Sequence, residues 1–217
     1  NAIFIRRGNR GGGTGSMKNI YIRDVVAEIP LLKPDQGYPI EGPPDHLKPG
    51  EDKMPKRLSQ FHIYGHPYLP YNLVPSSIVG IPGFPVEGVT IENVSIQYGG
   101  RADKNIAYIP LDKITTVPEN ISNYPEFSMF GELPSWGFYV RHANGVQFKN
   151  IQLSLVEDDF RPAMVMDDVQ NCSISSLTIP TNSTLPAIQL NNTKATSIKD
   201  IKLNIPLEKA ILTTNYQ

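Results

Sequence analysis

The sequence predicts an all-β fold, a single-stranded parallel β-helix, from three observations. Two strand-like patterns recur, their spacing is close to 24 residues, and they keep a constant phase. The first pattern is an apolar strand ending in a polar pair: AIFIRR (2–7), GFYVRH (137–142), AMVMDD (163–168), AIQLNN (187–192) and AILTTN (210–215). The second alternates apolar residues around Asn, Asp or Ser: KNIYIRDV (18–25), GVTIENVSI (88–96), GVQFKNIQL (145–153), NCSISSLTI (171–179) and ATSIKDIKL (195–203). From Phe138 to Val146, Met164 to Cys172 and Ile188 to Thr196 the offset is always 8 residues.

Each element follows from these patterns. Strict alternation is a strand signature, because successive side chains point to opposite faces. A βαβ fold needs amphipathic crossover helices, and the gaps here are too short and carry Pro and Asn. Leucine-rich repeats share the period, but their consensus is absent. Equivalent residues of successive coils are expected to stack about 4.8 Å apart. Ile91, Phe148, Ile174 and Ile198 would then fall in one apolar column. The polar pairs would stack too: Arg141-His142, Asp167-Asp168, Asn191-Asn192 and Thr213-Thr214. Arg141 is expected beside Asp167, in a surface ion-pair and amide ladder worth roughly 0–1 kcal/mol per exposed pair. A catalytic Asp167-Asp168 pair is the lesser alternative.

Composition bounds the rest. The 217 residues make one domain, 1–217, with 20 basic and 21 acidic side chains. That balance gives no strong field toward nucleic acid or an anionic membrane. No apolar run approaches the roughly 18–20 residues that span a bilayer. The lone Cys172 excludes an internal disulfide framework and a multi-cysteine zinc site. Its place in an apolar column reads as a buried structural thiol. Of 20 prolines, 12 lie between Pro30 and Pro85, and no glycine follows Gly145. The glycine-free last 72 residues read as uninterrupted closing coils.

Two long insertions, about 30–77 and 99–135, interrupt the early coils, with a strand expected at Ile78–Ile81 between them. Both should leave one edge of the stack and wall a groove, where repeat proteins bind their ligands. His46, His62 and His66 in the first insertion lack supporting Cys or carboxylates and read as loop residues, so no metal or other cofactor is expected. The aromatic segment YPEFSMFGELPSWGF (124–138) either stacks on sugar rings or plugs one face of the helix. Residues 1–23 carry Arg6, Arg7, Arg10, Lys18 and Arg23 and no acid, around the glycine-rich stretch 8–15. That stretch lacks the Gly-Lys-Ser/Thr ending of a phosphate loop. A cationic turn beside a groove suits a carboxylate ligand, so Arg6, Arg7 and Arg10 are the candidate substrate-binding residues. A solvated basic turn is the alternative. The sequons at Asn93, Asn120, Asn171, Asn182 and Asn191 mostly fall in or beside coils, where Asn serves turns and ladders.

The segment AIFIRRGNRGGGTGSMKNIYIRDV (2–25) resembles the part of glycoside hydrolase family 28 that holds its Arg-Ile-Lys motif, a Gly-rich turn and an Asn-Ile strand. MFGELPSWGFYVRHANGVQFKNI (129–151) and DDFRPAMVMDDV (158–169) look like distal coils of bacterial members. The resemblance implies a right-handed β-helix, secreted or periplasmic, that hydrolyses a pectic polysaccharide with inversion by a carboxylic acid and a carboxylate base. Phe4-Ile5-Arg6 stands where Arg-Ile-Lys would stand, and Arg6 keeps the charge of the Lys. The family's catalytic aspartates precede that strand, so they are expected upstream and the chain is expected to be the C-terminal part of a longer, enzymatically active protein. A non-catalytic carbohydrate-binding or structural β-helix is the alternative.

Overall fold

The computed structural model describes residues 1–13, 15–32, 73–101, 111–125, 127, 129–130, 133–179 and 186–215. Most of the first expected insertion, with His46, His62 and His66, lies outside the described residues, as does Asn182.

The fold is all-β, and every pairing between the described strands is parallel, with one isolated antiparallel bridge from Ile81 to Phe84. In chain order the strands are β1 (Phe4–Arg6), β2 (Met17–Ile29), β3 (Ser76–Val79), β4 (Val86–Tyr98), β5 (Phe138–Leu155), β6 (Met164–Gln170), β7 (Ser173–Ile179), β8 (Ile188–Asn191), β9 (Ser197–Leu203) and β10 (Ile211–Thr214). A short helix, α1 (Leu207–Ala210), precedes the last strand. One path of pairing runs β1-β3-β5-β6-β8-β10, and a second runs β2-β4-β5-β7-β9. The two recurring sequence patterns are these two paths. Phe138 pairs with Met164 and Met164 with Ile188. Ile91, Phe148, Ile174 and Ile198 fall in one register column, as their spacing predicts, and Ile22 joins it from the layer before.

The polar punctuation has a backbone cause. Register gaps in the ladders coincide with residues at positive φ. Asp24, Asn93, Asn150, Ser176 and Asp200 (φ 52–56°) form one column of such corners. Asn19, Gly88, Gly145, Asn171 and Ala195 form a second, and His142, Asp168 and Asn192 a third. Asn, Asp and Gly are the residues that take this left-handed region at least cost. Beyond Gly145 the corners pass to Asn, Asp, Ser and Ala, so the loss of glycine leaves the turning of the chain intact. Side-chain amides join the layers at the corners: Asn93 Nδ2 donates to Asp24 Oδ1 and Asn150 Nδ2 to Asn93 Oδ1, each at 3.0 Å.

Alternation then fills the interior. Val94, Ile151 and Leu177, and Ile96, Leu153 and Ile179, form continuous buried columns. Each such side chain contributes roughly 1.5–3 kcal/mol through burial. Cys172 is buried among them, and burial pushes its thiol pKa up to about 12.

The strand expected at Ile78–Ile81 begins and ends two residues earlier, at Ser76–Val79. Ser76 and Ser77 are fully buried despite their hydroxyls, and the Ser76 hydroxyl shares a 2.6 Å hydrogen bond with the Tyr98 hydroxyl. The strand stops at Gly80, where a Cβ would lie 2.2 Å from the His142 carbonyl oxygen.

The described part of the second insertion covers the outward face of the first strand path. Ile114, Val117, Met129, Phe130 and Leu133 pack with Val79, Tyr139 and Val165 in a second apolar cluster. The aromatic segment is therefore chiefly a plug: Phe130 and Trp136 are buried, whereas Tyr124 is 72% exposed.

Candidate functional site

Along the outward face of the first path, one register position carries Arg6, Val79, Arg141, Asp167, Asn191 and Thr214 in successive layers. The next position carries His142 and Asp168 at left-handed corners, and the His142 side chain reaches Glu119 of the second insertion. Arg141 Nε lies 3.0 Å from Asp167 Oδ2. Asn191 Nδ2 donates to Asp167 Oδ1 at 2.9 Å, and Thr214 Oγ1 donates to Asn191 Oδ1 at 2.7 Å. The stacking of Arg141, Asp167 and Asn191 is the one expected; the last rung is shifted by one residue, because Thr213 pairs with Leu190 and Thr214 with Asn191. The environment also differs from the expected one. The Arg141 and Asp167 side chains are only 8% and 1% exposed, so this is a buried ion pair rather than a surface ladder. The insertion is the physical reason: Arg141 also donates to the Val117 carbonyl at 2.8 Å and meets Glu119 Oε1 at 2.7 Å. Both Asp167 oxygens thus have partners, which a buried carboxylate requires.

His142 completes the cluster. Its Nδ1 lies 2.6 Å from Asp168 Oδ2 and its Nε2 lies 3.0 Å from Glu119 Oε1. Burial works against the imidazolium, but hydrogen bonds to the two carboxylates outweigh it and raise the His142 pKa above the ordinary value. Burial likewise works against ionised Glu119, and His142, Arg141 and Arg6 together hold its carboxyl below the usual range. Beside this cluster a shallow cleft is lined by Gly83, Pro85, His142, Asn144 and Asp168. Among the described residues no group of acidic, His and Cys side chains is arranged to hold a metal ion.

The three predicted arginines occupy different settings. Arg6 is buried; its guanidinium donates to the carbonyls of Gly80, Glu119 and Asn120 and lies 5.1 Å from the Phe130 ring centroid. Burial brings its pKa down to about 10. Arg7 is buried too, donating to the Pro85 and Gly15 carbonyls beneath the Phe84 ring. Arg10 is exposed, with its guanidinium 5.8 Å from the centroid of the exposed Tyr124 ring. A backbone bond from Asn9 N to Ile121 O, 2.8 Å, ties the two loops that carry that pair.

Glu119 was not among the residues singled out from sequence, and Tyr124 entered only as the first residue of the aromatic segment 124–138. Neither sits in a repeat, so neither has a periodic signal. The stacking of His142 over Asp168 was readable from the constant phase.

The chain is thus an all-β protein of stacked parallel strands with a buried ionic cluster under one loop. No family model, curated protein or solved structure matches it.

Proposed function

We propose that the protein is a right-handed parallel β-helix of the glycoside hydrolase family 28 type, and that it hydrolyses a galacturonan or rhamnogalacturonan backbone with inversion. The observation that carries the reading is the exposed Arg10–Tyr124 pair. A uronic acid presents an apolar ring face and a carboxylate. An exposed tyrosine offers a stacking surface, and a guanidinium offers a two-point hydrogen bond to the acid. The in-register layers with left-handed corners support the helical architecture. Within this reading Arg10 contacts the polymer, while Arg6 and Arg7 bind through the loops they hold, since their guanidinium groups face backbone carbonyls. An extracellular or periplasmic location follows from a polymeric cell-wall substrate.

The test is incubation of the full-length protein with polygalacturonate and with rhamnogalacturonan, reading new reducing ends and their initial anomeric configuration by NMR. Release of inverted product is the expected result. Arg10→Ala should raise KM about tenfold or more, the worth of a charged hydrogen bond. Failure to cleave any pectic substrate would sink the hydrolase.

A second reading is favoured by one observation. The single Asp-Asp pair near the cleft is engaged structurally, Asp167 by Arg141 and Asp168 by His142. A non-catalytic carbohydrate-binding protein would bind the same polymers in an Arg10-dependent manner and release no product.

A further inference from the structure

We propose that His142, as an imidazolium, latches segment 117–121 onto the strand face, and that loss of its proton loosens that segment. Both ring nitrogens meet carboxylate oxygens, Asp168 Oδ2 at 2.6 Å and Glu119 Oε1 at 3.0 Å. Ionised carboxylates only accept hydrogen bonds, and a neutral imidazole has one N–H. Both contacts are hydrogen bonds only in the doubly protonated ring. Deprotonation turns one of them into lone pair against lone pair. Asp168 lies on the neighbouring layer, whereas Glu119 belongs to the insertion, so the Glu119 contact joins two separate parts of the chain.

The groups around the ring leave histidine as the one that titrates near neutrality. Arg141, on the same strand, holds Glu119 Oε1 and the Val117 carbonyl. Arg6, from the first layer, holds the Glu119 and Asn120 carbonyls. Asp167 is taken by Arg141 and Asn191, and Arg7 is turned to the Gly15 and Pro85 carbonyls. The remaining neighbours in the cleft are the uncharged Ile81, Gly83, Pro85, Ala143, Asn144 and Gln170. The arginines keep their charge throughout, so the anchorage of segment 117–121 weakens in one step. Net stabilisation of the His142 cation places that step above the ordinary histidine value of 6.5. The latch is complete below 6.5 and lost as pH rises through the folded-state value.

The same segment carries the acceptor for Asn9 N at the Ile121 carbonyl, and it leads directly to Tyr124. Loosening it therefore loosens the Arg10–Tyr124 pair, whatever that pair binds.

The experiment is NMR on the full chain: the ring titration of His142, and hydrogen exchange of the Asn9 and Asn123 amides corrected for intrinsic rates. The expected ring pKa lies above 6.5, and opening at Asn9 should rise about tenfold for each unit of that shift, then level off. His142→Asn suits the φ of 48°, as Asn192 does in the same column, and should abolish the step while exchanging fast at pH 6. Glu119→Gln keeps an acceptor for Arg141 and should move the ring pKa back toward 6.5. A ring that titrates at or below 6.5, or a pH step that survives in His142→Asn, overturns the latch. Should His142→Asn not fold, the wild-type and Glu119→Gln ring titrations decide.

Discussion

Arg141 and Asp167 stand opposite each other on adjacent parallel strands, Nε to Oδ2 at 3.0 Å, with both side chains more than nine-tenths buried. Removing one partner leaves the other charged and stripped of water. Arg141→Met should therefore destabilise the protein by about 3–5 kcal/mol in urea unfolding. Double replacement by apolar residues of matching volume should recover much of that loss. An Arg141→Met variant within 1 kcal/mol of the wild type would mean that water reaches the pair.

Ala195 occupies a left-handed corner at φ 53°, in the column that Gly88 and Gly145 serve earlier in the chain. An alanine there carries a strain of about 1–2 kcal/mol that glycine lacks. Ala195→Gly should raise the thermal midpoint, after a discount for the greater freedom of glycine in the unfolded chain. Asn150→Ala should lower it, by adding that strain and by losing the bond to Asn93.

Acid should loosen the ionic cluster from the other side. The Glu119 carboxyl is held below its ordinary value, with burial opposing and His142, Arg141 and Arg6 prevailing. A depressed carboxyl contributes stability above its unfolded value, and the contribution vanishes as pH falls through the folded one. Thermal midpoints measured from pH 6 down to 3 should drop in the wild type and drop less in Glu119→Gln. Superimposable acid limbs would show that Glu119 is not coupled to folding.

Cys172 should be silent to thiol reagents in the native state. Its thiol is buried and its pKa is raised to about 12, so almost no thiolate exists at pH 8. An Ellman assay is expected to find no reactive thiol in buffer and the chain's one thiol in guanidinium. Prompt native labelling would place Cys172 outside the core.

What the sequence made legible were relationships that repeat. The offset from Phe138 to Val146, kept at Met164 and Ile188, fixed which residues stack, because one slipped residue would send every inward side chain outward. Asn and Asp in the second pattern marked the corners. The arginines were less legible. Charge and a glycine-rich turn suggested an open cationic patch, yet Arg6 and Arg7 are buried against carbonyls contributed by residues remote in the sequence. Glu119 was invisible for the same reason: its place depends on how a non-repeating loop folds across the strands. The start of β3 was misplaced because Ser76 and Ser77 read as loop residues, and the Tyr98 hydroxyl and the Ile3 N–H together make burial of Ser76 tolerable.

The corner columns also govern how such a chain can change length. Met164 to Ile188 is one complete layer of 24 residues, from one inward position to its counterpart. Duplication or deletion of a whole layer would return every corner, ladder and core position to an equivalent neighbour. An insertion inside a strand would misplace all that follows it. The fold therefore tolerates two kinds of change in length: entire layers, and loops that leave the stack and rejoin it in phase, as the segment over Arg141 does.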